Sequence, residues 1–269
     1  MNIEIIIPAY NCRKTLSKTL GSLVSQTVSE FSVHIIDDCS TEDLSEIILQ
    51  FKNLLNIKVS RNIKNLGCGM TRQEGIDKSK ADYIAFLDSD DVLMPYTVEV
   101  WTHMAKDNPD VDIFHSYFYS QKMYNGIPIL ELKKDGFTWC HGKLYKLDFI
   151  KKWNIRNDAR VKYADDSFFN SMCFELGSSA TIPIPMYCWL DNQESITRSY
   201  RDDFNNLLDD FFTAMKLSID FLKKCGVKKI SHVQNTIMLL ENKKNMLTEK
   251  SLKTYDELIN FLNNVNQEV

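Results

Sequence analysis

Residues 82–95 read DYIAFLDSDDVLMP, an apolar run from Tyr83 to Leu87 that stops at Asp88-Ser89-Asp90-Asp91. A short continuous apolar stretch with a polar end has the pattern of a buried strand. Two similar runs precede it. Residues 3–7 (IEIII) stop at Pro8, Ala9, Tyr10 and Asn11, and Phe31 to Ile36 stop at Asp37-Asp38. Ile57–Val59 is a shorter fourth run. Helical patterns lie between them. Leu16, Leu20, Leu23 and Val24 share one face, with Asn11 as the candidate cap. Ser40 to Asp43 reads as a capping box ahead of Leu44, Ile47, Ile48 and Phe51. Gly67 to Ser79 is a loop running into a helix, and Pro95 opens another that carries Val98, Trp101 and Met104. Strand and helix alternate through residue 108, which predicts an α/β fold: a mainly parallel sheet with helices on both faces.

The pattern then changes. Val111 to Tyr119 and Ile127 to Leu132 read as strands joined by an Asn125-Gly126 hairpin turn. Helices are expected near Leu147–Trp153 and Ser167–Leu176. From about Asp202 the chain reads as all-helical, with Phe204, Leu207, Leu208, Phe211, Phe212 and Met215 in one stripe. Residues 201–269 hold ten basic and ten acidic residues, so this neutral tail reads as a packing or oligomerising appendage, not a nucleic-acid arm.

The 269 residues are 44% apolar and 25% charged, ordinary for a globular protein. With 32 Lys+Arg against 36 Asp+Glu, the net charge of −4 gives no bulk attraction to nucleic acid or to an anionic membrane. No apolar run approaches the roughly 20 residues that span a bilayer. Met1 to Ala9 has no basic leader, so a cytoplasmic location with at most peripheral membrane contact is expected. The seven cysteines show no CxxC spacing and read as small buried apolar residues. His34, His103, His115 and His232 are isolated and read as structural.

In a parallel α/β sheet, ligands bind beyond the carboxyl ends of the strands. Asp37, Asp38, Asp88, Asp90 and Asp91 would converge there and repel one another. A divalent cation, Mn²⁺ or Mg²⁺, carrying nucleotide phosphates would resolve that repulsion. In an extended segment Asp88 and Asp90 would face one ligand; the competing reading makes the tetrad a helix-capping turn before Pro95. Glycine-rich phosphate loops are missing: Arg72 stands where Gly67-Cys68-Gly69 would need its third glycine, and no GxxxxGK[ST] occurs.

The stretches IEIIIPAYN (3–11), SLVSQT (22–27), VHIIDDCSTED (33–43), NLGCGMTRQEGI (65–76) and DYIAFLDSDDVLMP (82–95) together resemble, in order and spacing, the nucleotide-sugar-binding half of a GT-A fold glycosyltransferase of family 2. HGKLYKLDFI (141–150) with VKYADDSFF (161–169) resembles an acceptor-side segment that ends in Glu-Asp in the family and in Asp165-Asp166 here. YCWLDNQESITRS (187–199) resembles the segment that closes over the donor diphosphate. The resemblance implies a GT-A domain over 1–200, with a donor half 1–95 and an acceptor half 96–200, followed by a helical region over 201–269.

It also implies roles. Asp38 would accept a hydrogen bond from the base, Tyr10 would lie against it, and the backbone of Pro8, Ala9 and Asn11 would line it. Arg72 would place charge near the diphosphate or base; Asp88 would contact the ribose or metal, beside Ser89; Asp90 would hold the metal; Asp91 would cap the next helix. Asp166 would be the general base in an inverting transfer from a nucleotide-diphosphate sugar, UDP-linked by expectation, to the hydroxyl of a glycan or other acceptor, with Asp165 as its competitor. Lys143, Ser195 and Arg198 are candidate diphosphate or acceptor contacts, and Trp139, Tyr187 and Trp189 could stack on a sugar or pack in the core. Two other readings stand beside this one. FLDSDDV also resembles the Asp-x-Asp strand end of a haloacid-dehalogenase-like phosphatase, and a non-catalytic nucleotide-sugar-binding protein would show the same donor motifs.

Overall fold

The computed structural model describes residues 1–134, 138–192 and 204–267. Nine strands form one sheet in the order β3-β2-β1-β4-β8-β6-β9-β5, with β7 paired to β6. β1 (Ile3–Ala9) lies between β2 (Ser32–Asp37) and β4 (Tyr83–Phe86), parallel to both, and β3 (Ile57–Arg61) lies parallel on β2. Every residue of β1 is buried, as its apolar run requires. Side chains alternate across the strand. Ile3, Ile5 and Ile7 pack with Leu16, Leu20 and Leu23 of α1 (Leu16–Val24) and with Val98 and Trp101 of α4 (Thr97–Asp107). Ile6 packs on the other face with Ile76 of α3 (Cys68–Lys78) and Phe169 of α6 (Asp165–Leu176). α2 (Ser45–Phe51) joins the first layer through Ile47 and Ile48, and α5 (Leu147–Trp153) the second through Phe149 and Ile150.

Beyond β4 the direction changes. β8 (Lys143–Lys146) is antiparallel to β4 and to β6 (Ile113–Tyr124); β9 (Ser179–Trp189) is parallel to β6; β5 (Val92–Leu93) is antiparallel to β9. β6 runs on past the sheet and pairs with β7 (Ile127–Lys133) as a two-stranded ribbon. Its turn is the expected one: Asn125 and Gly126 have φ of 49° and 79°, the left-handed pair that a two-residue hairpin demands.

The C-terminal helices are present: α7 (Phe204–Lys224), α8 (His232–Lys243) and α9 (Glu249–Gln267). Leu208, Met215, Ile219 and Leu222 of α7 bury against Val233 and Ile237 of α8 and Leu258 and Leu262 of α9. Leu208 and Met215 of the predicted stripe therefore pack within the chain, and Ala214 of α7 joins the α6 side of the sheet core.

Two local expectations are corrected. Asn11 does not cap α1. It adopts a left-handed φ of 48°, and its Oδ1 accepts from Thr41 N at 2.9 Å, tying the loop after β1 to the loop after β2. The Ser40–Asp43 capping box does not form: α2 begins at Ser45, whose N–H donates to Asp43 Oδ1 at 2.9 Å.

Candidate active site at the strand ends

Asp37 and Asp38 leave β2 in different directions. Asp37 pairs with Arg61 and accepts from Ser40 N at 2.8 Å. Asp38, buried, accepts from Asn62 Nδ2 and Leu66 N at 2.8 Å and Gly67 N at 2.9 Å, so it braces the 62–67 loop that leads into α3. Pro8 and Ala9 are the buried end of β1, Tyr10 beside them is 42% exposed, and Ser89 reaches Cys12. The strand ends thus form a floor with one free aromatic ring at its rim.

Arg72 is the centre of the site. It is buried on α3, with Nη2 on Asp88 Oδ1 at 2.7 Å and Nη1 on Asp165 Oδ2 at 3.0 Å and on Asp166 Oδ1. Its guanidinium lies 5.7 Å from the Phe86 ring centroid, and its Nε is buried without a hydrogen-bond partner among the described residues. Asp165 and Asp166 occupy the first turn of α6, where carboxylates suit the helix dipole. Asp166 also accepts from Cys140 N at 3.0 Å. Burial, only partly offset by Arg72 and reinforced by Asp166 and Asp88, pushes the Asp165 carboxyl up to about 7. Burial would raise Asp88 too, but Arg72 and His141 hold it far below the usual carboxylate range. α3 and α6 meet closely here: a Cβ on Gly69 would lie 2.8 Å from the Asp165 Cβ.

The 88–91 tetrad is a turn closed by Asp91 N on Asp88 O at 3.1 Å, not the extended segment in which Asp88 and Asp90 alternate. Asp91 does not cap α4. It is buried, accepting from Tyr187 Oη at 2.6 Å and Leu190 N at 2.8 Å, and burial with Asp90 and Asp88 nearby raises its carboxyl strongly. Asp90 accepts from Asn192 Nδ2 at 2.8 Å. His141, not counted among the site residues from sequence, is buried with Nε2 3.7 Å from Asp88 Oδ2. Its ring stacks on Tyr187 (4.5 Å, 13°) and on Trp139 (5.8 Å, 10°). The aromatic-rich flanks of residues 139–141 and 187–189 were the available signal. Tyr187 is thereby packed away from any sugar, while Trp139 and Trp189 are half-buried. Lys143 is fully buried and donates to Trp139 O. Ser195 and Arg198 lie outside the described residues.

Asp88, Asp91 and His141 offer ligand atoms within 4.8 Å of one another. Both Asp91 oxygens already accept hydrogen bonds, so Asp88 and His141, with Asp90 in the same turn, are the better donors. His141 Nδ1 is buried and without a hydrogen-bond partner among the described residues. Two carboxylates and an imidazole form a donor set that fits Mn²⁺ or, less well, Mg²⁺. Among the described residues no helix is long and apolar enough to cross a membrane.

The profile of the family described as Glycosyl transferase family 2 matches residues 4–161. The chain is similar to the poly(ribitol-phosphate) beta-glucosyltransferase of Bacillus spizizenii, 26% identical over 236 residues, covering 81% of this chain and 37% of that protein. It is also similar to poly(ribitol-phosphate) beta-N-acetylglucosaminyltransferase TarS of Staphylococcus aureus, 27% identical over 192 residues, covering 65% of this chain and 32% of that protein. The chain therefore spans well under half the length of these relatives. The crystal structure of S. aureus TarS 1-349 in complex with UDP-GlcNAc superposes with a TM-score of 0.78 at 18% identity, over 99% of this chain and 82% of that one. That likeness speaks for the fold, which is the GT-A arrangement of a curled sheet between helix layers. The phosphatase reading required the Asp-x-Asp strand to open the domain, whereas three parallel strands precede it. With the profile match covering more than half of the residues and the site assembled at the strand ends it spans, the chain belongs to glycosyl transferase family 2.

Proposed function

We propose that the protein transfers a sugar from a nucleotide-diphosphate sugar, a UDP-sugar by preference, to an acceptor hydroxyl with inversion at the anomeric carbon. The observation that carries this reading is the sharing of Arg72 between Asp88, on the donor side, and Asp166, at the start of α6. Tyr10 offers an exposed ring for the base to lie on, and Pro8, Ala9 and Asn11 shape the floor beneath it. Asp38 acts chiefly through the loop it braces, with its Oδ2 holding a single protein donor. Asp88, Asp90 and His141 would hold the divalent cation, which supplies positive charge opposite the departing diphosphate when bound.

Asp166 removes the acceptor proton as the oxygen attacks, a contribution of typically about 10²–10⁴-fold. Arg72 and Cys140 N fix its carboxylate, so that one oxygen edge points at a defined place. Asp165, buried and hydrogen-bonded to Arg72 Nη1 at 3.0 Å, serves to hold Arg72. The donor half is assigned to 1–95, the acceptor half to 96–200, and the helices beyond 200 to a supporting role.

The similarity to poly(ribitol-phosphate) glycosyltransferases supports a glycan or polyol-phosphate acceptor. The deciding experiment is a hydrolysis and binding screen over UDP-, GDP-, TDP- and CDP-sugars with and without Mn²⁺. Cation-dependent release of one nucleoside diphosphate is the expected result. Binding without any turnover, in the presence or absence of acceptor glycans, would return the protein to the class of nucleotide-sugar binders.

A further inference from the structure

Asp210 of α7 sits over the loop that feeds the first turn of α6. Its Oδ1 accepts from Lys162 N at 2.8 Å, and its Oδ2 accepts from Tyr163 N at 2.9 Å and Ala164 N at 2.8 Å. Three successive amides converge on one carboxylate, an anion-holding nest filled from within the chain. Residue 164 is the cap position of α6 and, being alanine, offers no side-chain acceptor of its own. The next two residues are Asp165 and Asp166. α3 also comes close to the acidic pair, since a Cβ added at Gly69 would lie 2.8 Å from the Asp165 Cβ.

We propose that Asp210 is a positioning residue for the transfer reaction, by which the C-terminal helices set the place of the general base. The proposal rests on the reading of Asp166 given above. It assigns the region beyond residue 200 a function in turnover, where its sequence suggested a packing or oligomerising appendage. Displacing a reacting group by about 1 Å can cost on the order of 10²-fold, so a frayed 162–164 loop acts on turnover and not on donor binding.

The test compares D210A and D210N with D209N, using UDP-glucose and UDP-N-acetylglucosamine with Mn²⁺ as probes. Asp209 is an exposed neighbour on α7 that accepts from Thr254 Oγ1 at 2.8 Å, so D209N controls for the loss of one negative charge from the same stretch of helix. Expected is a fall in kcat of about 10- to 100-fold for D210A and a smaller fall for D210N, which keeps one carbonyl oxygen for the amides. KM for the donor stays within about threefold, and D209N keeps the parent kcat. A D210A enzyme with unchanged kcat, or one that loses kcat no more than D209N does, overturns the proposal. If the parent turns over neither probe, the choice of donor in the reading above is what has failed. Amide exchange then decides the anchoring by itself: residues 162–166 must exchange faster in D210A and not in D209N, and equal protection overturns it.

A separate observation concerns the β6–β7 ribbon. Met123, Tyr124, Ile127, Ile129, Leu130 and Leu132 are 45–66% exposed. The pairing puts Tyr124, Ile127 and Ile129 on one face and Met123, Leu130 and Leu132 on the other, so the tip is apolar all round. Lys122 stands beside Ile129 at the tip, and Lys133 and Lys134 are set back from it. Glu131, the one acidic residue between Tyr119 and Lys134, is paired to Lys122 and Lys133, which push its carboxyl down to about 2. An apolar tip ahead of a basic collar, on a chain of net charge −4, is complementary to an anionic lipid surface.

We infer that this ribbon docks the protein on anionic bilayers. Sedimentation with phosphatidylglycerol vesicles should exceed that with phosphatidylcholine by about tenfold, fall at high salt, and be lost in an Ile129→Ser, Leu130→Ser double variant. Equal partition onto both vesicle types, or none, overturns the inference. So does a dimer by light scattering that the same double variant dissociates, since the tip then belongs to a second copy.

Discussion

Asp88 and Asp166 are joined through one buried guanidinium, Nη2 of Arg72 lying 2.7 Å from the first and Nη1 on the second. A buried cation shared by three carboxylates is costly to remove, because its partners then face one another uncompensated. Arg72→Met should lower the unfolding free energy at pH 7 by about 3–5 kcal/mol, read from urea midpoints. A loss below about 1 kcal/mol would place the trio in effectively solvated surroundings.

Asp166→Asn keeps the shape of the side chain and removes its basicity. Sugar transfer should fall by at least about 10²-fold, while the dissociation constant for the nucleoside diphosphate, measured by calorimetry, stays within about twofold. Unchanged turnover would hand the base role to another group, with Asp165 first in line.

Stability against pH separates Asp165 from the buried histidines. Burial depresses His34 and His115 from 6.5 to about 4, so the unfolded chain binds protons that the folded one refuses, and stability falls as pH drops through that window. Asp165 acts in the opposite sense. Its carboxyl is raised from 3.8 to about 7, so its contribution is present below 3.8 and is lost as pH rises through about 7. Asp165→Asn should therefore make the melting temperature climb more steeply between pH 4 and pH 6.5 than in the parent. Parallel curves would mean that Asp165 is ionised throughout.

Gly69→Ala tests the meeting of α3 and α6. The added methyl carbon would sit 2.8 Å from the Asp165 Cβ, and backbone on both sides must give way. A destabilisation of about 1–3 kcal/mol is expected, with a larger proportional loss in turnover than in stability. A neutral substitution would show that the acidic pair tolerates displacement.

His141→Gln removes the imidazole facing Asp88 and retains a polar group of similar reach. The Mn²⁺ concentration for half-maximal turnover should rise about tenfold or more, with little change in folding. An unchanged metal titration would leave the cation to Asp88 and Asp90 alone.

The sheet was legible because its strands are apolar on both faces: Ile3 to Ile7 admits few other readings, and Asn125-Gly126 announces its turn by the backbone angles it tolerates. The carboxylates were legible as a group and not as individuals. Whether Asp91 caps a helix or holds Tyr187 depends on a residue nearly a hundred positions away, which local pattern does not carry. Asp165 and Asp166 are adjacent in the chain and differ only through Arg72, Gly69 and the Cys140 amide. Asp210 was hidden for a related reason: an acidic residue beside a helix stripe reads as solvated until the loop that it caps is in view.

The single nine-stranded sheet has an evolutionary corollary. Since β4 hydrogen-bonds to β1 on one edge and to β8 on the other, there is no seam at which a hinge could form or a recombination event could cut cleanly. Swapping residues 1–95 between family members would leave a mismatched strand in the middle of the core. β7, whose ladder partner is β6, is the segment that can be exchanged with least disturbance to the sheet beneath it.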